Sequence, residues 1–221
     1  MLKPVVAVFQ KDIRSELRTR YSISAVLLFV VTSIVILLFA TSGEKLTTET
    51  LAGILWVVMF FSSMTGLAKG FVSEEERGTS LLLQLTSSPT SVYFGKFIFN
   101  TILSLGLNAL TVLLFFIFFD TFAVKNPLGF ITTMFFGSIG IASSSTIISA
   151  IIAKANTKGA LFPVLSLPLL LPLVFVGVEA LSMSMNGTPF MYMQSDILII
   201  ISYSVIVTVL SWWLFDFVWK E

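Results

Sequence analysis

Cysteine and histidine are both absent from the 221 residues of this chain. Their absence excludes disulfides, thiol catalysis, cysteine- or histidine-bound zinc and histidine-ligated haem. Charge is scarce too. Charged residues make up 11% of the chain, against about a quarter in soluble domains. Hydrophobic residues make up 56%, and the mean hydropathy is +0.99. Such a chain is a polytopic membrane protein. Lipid offers the backbone no hydrogen-bond partner, so its spans are helices or a closed barrel. Continuous apolar runs of about twenty residues, rather than alternating runs of about ten, choose helices. A net charge of +1 leaves no nucleic-acid footprint.

Catalytic motifs are missing as well. There is no Gly-x-x-x-x-Gly-Lys-Ser/Thr loop, so this chain does not bind ATP by that device. There is no Gly-x-Ser-x-Gly elbow, no His-Glu-x-x-His pair and no cluster of intramembrane carboxylates. No catalytic residue and no metal ligand set can be named. The sequence argues against an enzyme.

What is present reads as one permease domain over residues 1–221. Residues 1–22 place Val5, Phe9, Ile13, Leu17 and Tyr21 at i, i+4 spacing, with Lys11, Arg14, Ser15 and Arg18 around the other side. That spacing predicts an amphipathic helix lying in the membrane interface, with Lys11, Arg14, Arg18 and Arg20 toward lipid headgroups. The first apolar run is long enough to remain as a span rather than be removed as a signal peptide. Six membrane-length segments follow, at about 22–42, 51–70, 97–119, 128–153, 160–182 and 197–218. The fifth contains Pro163, Pro168 and Pro172, and is expected to bend or to break into two half-helices. The stretch from Met183 to Gln194 is apolar for a loop and is expected to dip toward the interface.

Basic residues orient the chain. Lys3, Lys11, Arg14, Arg18, Arg20, Lys69, Arg77, Lys96, Lys154, Lys158 and Lys220 fall on one side, and only Lys45 and Lys125 on the other. By the positive-inside rule, both termini and the connector between spans two and three are cytoplasmic. Trp212, Trp213 and Trp219 suit either an aromatic belt or, for the first two, a packed core.

The connector, residues 71–96, is the most informative stretch. Glu74, Glu75, Glu76 and Arg77 precede Gly78 and Thr79; Leu81, Leu82, Leu83 and Leu85 then make a helix too short to cross a membrane. Ser88 reads as an N-cap with Pro89 at the first helical position. A short exposed helix tied to two spans can transmit a push from a soluble partner, and a solvated charged loop is the plain alternative. Gly78 suits a turn with unusual backbone angles. Glu179, near the outer end of the fifth span, is either a functional ionisable group or an acid facing water. Gly66-x-x-x-Gly70 and Gly137-x-x-Gly140 permit close helix contact, within one subunit or along a dimer seam.

Glu76-Arg77-Gly78-Thr79 followed by paired leucines, Ser88-Pro89 and Gly95-Lys96 resembles the first cytoplasmic loop of ABC-2-type transporter permeases. The opening from Lys11 to Arg20, Ile54-Leu-Trp56, and the run from Leu161 to Pro172 leading to Glu179 resemble one branch, the cytochrome c maturation protein B (haem exporter B) family. The similarity covers essentially the whole chain. It implies a multi-pass inner-membrane permease, expected as a homodimer, that docks a cytoplasmic ATP-binding subunit, the maturation protein A ATPase. It implies that Glu74 to Thr79 lie at the coupling segment, that ATP is bound by the partner, and that haem-handling membrane proteins share the complex. The resemblance leaves two uses of ATP open, moving haem as cargo or releasing a haem-loaded chaperone, and neither makes haem a resident cofactor of this chain. Without histidine, any haem contact is apolar or through Met183, Met185, Met191, Met193 or Tyr192, residues that also serve packing. Two rivals remain at this point: an ABC-2 permease exporting a lipid-linked glycan or a drug, and a non-transporting scaffold for haem-handling partners.

Overall fold

The computed structural model describes residues 2–41, 45–155 and 161–220. The expected basic position Lys158 and the end of the first span at Ser42 lie outside the described residues. The described residues form α1 (Leu2–Thr19), α2 (Tyr21–Thr41), α3 (Thr48–Leu67), α4 (Lys69–Glu76), α5 (Ser80–Thr86), α6 (Pro89–Phe118), α7 (Pro127–Ala153), α8 (Leu161–Asn186) and α9 (Phe190–Lys220). Six of these stretches are long and apolar enough to cross a membrane, α3 and α4 together forming one of them. The all-α polytopic fold is as expected.

Several boundaries differ from the sequence reading, each for a local reason. Glutamate is a good helix former, so the charges at 74–76 do not end the second span. The helix runs on as α4 until Gly78, whose φ of +66° is open to glycine at little cost. The third span starts at Pro89, not near 97, because Ser88 accepts from the Ser91 amide and Pro89 needs no donor there. Only residues 77–88 therefore leave the two long rods.

The fifth span is neither broken nor split. α8 is one helix with Pro168 and Pro172 inside it, while Pro163 sits in the first turn, where no donor is required. Tyr203 of α9 donates to the Leu169 carbonyl at 2.6 Å, in the turn the prolines loosen. The stretch after it is no loop either: α8 continues to Asn186, Gly187 turns the chain at φ +85°, and α9 begins at Phe190.

α7 is the central rod, packed against α3, α4, α6, α8 and α9. Its small residues make this possible. Gly137 touches the Trp56 indole, and Gly140 faces Leu173 of α8 and Ser204 of α9. Gly177 of α8 closes on the same indole from another side, so Trp56 is wedged between two helices and fully buried. Gly66 faces Val26 and Leu107, and Gly70 faces Ser149. All four glycines of the two spaced motifs thus serve contacts within the chain. Of the tryptophans near the end, Trp219 is buried and Trp212 and Trp213 are exposed.

An added methyl at Gly177 would fall inside the indole, so Gly177→Ala is expected to cost about 1–3 kcal/mol. Trp56→Phe in the same chain should return part of that loss. Thermal unfolding of the purified protein in detergent checks both, and additive losses in the double variant would contradict the wedge.

Candidate functional site

The site begins with one dipeptide. Gly95 leaves room for α1 on α6: a Cβ there would stand 2.7 Å from the Val8 Cβ and 3.0 Å from the Val5 carbonyl. The close approach brings Asp12, one turn after Val8, over Lys96. Lys96 is 2% exposed, and its Nζ lies 3.1 Å from Asp12 Oδ2, 3.3 Å from Glu74 Oε1 and 2.9 Å from the Gly70 carbonyl. Lys11 donates to the same Glu74 oxygen and stands 3.3 Å from Asp12 Oδ1. Thr79, just past the Gly78 turn, donates to Glu74 Oε2 at 2.6 Å.

Two ammoniums and two carboxylates therefore share one site, drawn from α1, α4 and α6. The count is neutral. A buried ion pair is tolerated only when its remaining donors and acceptors are satisfied, and here the carbonyl and the threonine hydroxyl complete the set. The Lys96 Nζ also sits 4.9 Å from the centre of the Phe71 ring, a cation–π placement.

Beside this cluster lies a cavity of about 460 Å³, bounded by Asp12, Glu16, Ser73, Arg77 and Asn100. Next to it the aromatic rings of α4, α6 and α9 meet. Phe71 lies 5.3 Å from Phe215 and 5.7 Å from Trp219, and Tyr93 lies 5.5 Å from Phe215, centroid to centroid. α5 hangs from this end. Gln84 donates to the Trp219 carbonyl at 2.8 Å, while no described residue of α5 is buried. Leu81, Leu82 and Leu85 are 64%, 62% and 78% exposed.

The expected site residues divide sharply. Glu76, Arg77 and Gly78 are exposed, and Glu75 and Thr79 are partly so. Glu74 is not on that face but inside the ion cluster, because Lys96 and Lys11 hold it there. Lys11 likewise turns toward Glu74 rather than outward with Arg14, Arg18 and Arg20, which are exposed. Arg20 itself is a corner residue at φ +50°, and Glu16 caps the start of α2 by accepting from the Ile23 amide at 3.0 Å. Glu179 is exposed, at the far end of the bundle, and shares nothing with the cluster.

Three residues escaped the sequence reading: Val8, Asp12 and Lys96 as a structural charge. The signal was available in part. A lone acid among the basic residues of an amphipathic helix, and a Gly-Lys pair two turns inside a membrane-length helix, are both unusual. Of the methionines considered for haem, Met185 and Met193 are buried, and Met193 packs on Gly129 beside Asn126.

A family profile described as CcmB protein matches residues 3–215. The chain belongs to the CcmB family. A search of curated proteins finds no match to it. CcmB membership makes this chain a permease component of the haem-exporting ABC transporter of cytochrome c maturation, and a multi-pass membrane protein partnered by an ATPase. In this CcmB chain, the Gly95-Lys96 pair fastens the opening helix to the third span.

Lys96→Met would leave two carboxylates facing one half-exposed ammonium. It is expected to cost about 3–5 kcal/mol, the usual loss when one partner of a buried pair is removed. Adding Glu74→Leu should recover much of it, since replacing both partners by apolar groups is often neutral. Unfolding midpoints of Lys96→Met, Glu74→Leu and the double variant provide the check; a double loss equal to the sum of the two single losses would show that the cluster carries no charge coupling.

Proposed function

We propose that α5 is the helix by which this permease docks its ATPase, and that the ion cluster passes the resulting motion to α1 and α6. The observation that supports it is the pairing of exposure with anchorage. Three leucines point outward on a seven-residue helix that is tied down at two places, by Thr79 just before it to Glu74 and by its own Gln84 to Trp219. An apolar patch of this kind, on a helix too short to cross the bilayer and rimmed by Glu75, Glu76 and Arg77, fits a protein groove. The acids and the arginine supply the polar rim.

In this reading a push on α5 travels along two connections. One runs through Thr79, Glu74 and Lys96 to α6 and, by Asp12, to α1. The other runs through Trp219 and Phe215 to α9. The excess of lysine and arginine at this end supports a cytoplasmic position for it and for both termini, at the inner membrane. Arg14, Arg18 and Arg20 meet headgroups there. The permease works as a homodimer alongside haem-handling membrane proteins, and ATP is spent in haem delivery or in releasing a haem-loaded chaperone. ATP hydrolysis itself belongs to the partner subunit.

Affinity purification from the native membrane, with retained proteins identified by mass spectrometry, tests this reading. Wild-type protein is expected to bring down a small ATPase and haem-handling membrane proteins. Leu81→Glu with Leu85→Glu is expected to lose the ATPase by at least about tenfold while inserting normally; Glu75→Lys with Glu76→Lys is expected to weaken it by about two- to fivefold, as rim charges do. Undiminished ATPase recovery with the double leucine variant would refute the docking role. An ATPase accompanied by glycan- or drug-export partners would keep the coupling and overturn the pathway.

A further inference from the structure

At the opposite end of the bundle from the ion cluster, α2, α3 and α8 enclose a cavity of about 880 Å³, within the ~300–1,000 Å³ usual for ligand sites. Its body is apolar. Val57 and Val178 form its sides, and Phe175 stands at its mouth, 71% exposed, so the cavity opens sideways where lipid would lie. Gly53 leaves its floor bare, because a Cβ there would meet nothing within 4 Å.

The rim has one sign of charge. Glu49 and Glu179 both line the cavity, and no lysine or arginine does so among the described residues. Glu49 accepts from Asn186 at 3.3 Å and also meets Thr47, Ser182 and its own amide, and Glu179 stands exposed on the same cavity. An apolar, laterally open body under two carboxylates complements an amphiphile whose head is cationic and rich in N–H donors. It opposes one whose head carries carboxylates, as haem does.

We propose that this cavity binds a membrane lipid with a primary ammonium headgroup, the ammonium at Glu49 and Glu179 and an acyl chain along Val57 and Phe175. Glu179, in this assignment, is a lipid-headgroup residue and not a contact for the cargo. A primary ammonium donates three hydrogen bonds, whereas a quaternary one donates none, so ethanolamine heads bind better than choline heads. Phosphatidylglycerol, with net negative charge, is disfavoured. The assignment does not depend on α5 docking an ATPase.

The test uses the intact complex purified from its membrane into nanodiscs holding equal parts phosphatidylethanolamine, phosphatidylcholine and phosphatidylglycerol, with bound lipid read by native mass spectrometry. Phosphatidylethanolamine is expected to be enriched over both others. Glu49→Gln or Glu179→Gln is expected to lower that enrichment about threefold, and the pair about tenfold, as for partly exposed ion pairs. Gly53→Leu, which fills the floor without touching a charge, is expected to expel lipids of every headgroup. Equal retention of the three lipids, or enrichment that survives the paired glutamine variant, overturns the proposal. So does carbodiimide coupling of Glu179 to a lysine of another subunit, which would make the cavity a protein interface.

Discussion

The neutral cluster of Lys11, Asp12, Glu74 and Lys96 is the constraint on which the basic end of this protein depends. An ammonium buried as deeply as that of Lys96 would lose several kcal/mol of hydration without compensation. Two carboxylates and a carbonyl supply the compensation, and they come from two other pieces of chain: Asp12 from α1, Glu74 and Gly70 from the helix that continues the second span. No single helix could satisfy Lys96. Burying it therefore ties three pieces of backbone into one unit, and α5 inherits a fixed base through Thr79.

The membrane-embedded part is held by different means. Between helices in lipid, apolar surface alone gives little driving force, and close approach with interhelical hydrogen bonds gives more. α7 supplies both. Its glycines admit the indole of Trp56 and the side chains of α8 and α9, and its hydroxyls meet partners along its length. Asn100 donates to Thr146 at 2.8 Å, Asn108 to Ser138 at 2.8 Å, and Ser143 pairs with Thr208. α2 stands apart from this core, in contact mainly with α3 and α6, and shows apolar residues such as Leu28 and Phe39 outward.

The two ends are consequently built for different chemistry. One combines opposite charges, stacked aromatic rings and a tethered helix with exposed leucines, a construction suited to receiving force from a protein. The other is tied by neutral bonds, with Asn126 donating to the Thr188 carbonyl and accepting from the Gly129 amide. Beside those bonds it leaves an acidic, lipid-facing hollow. The docking role proposed for the first agrees with membership of the CcmB family. Nothing in that membership requires the second.

Composition and periodicity determined the six helical spans, the short leucine helix and its Ser88-Pro89 boundary, because hydropathy, N-capping and proline geometry act over a few residues. The turn at Gly78 was legible for the same reason. Only the tertiary structure decided what the charges do. Glu74 and Glu76 are two residues apart, yet they point to opposite sides of one helix, one held by Lys96 from α6 and the other facing outward. Lys11 and Arg14 look alike in an amphipathic pattern, and the position of Glu74 on α4 separates them. The break that the prolines of α8 allowed does not occur for a related reason: they weaken an isolated helix, and the packed neighbours α7 and α9 keep it whole. An ion pair between residues 84 apart, such as Asp12 with Lys96, leaves no mark on either local sequence.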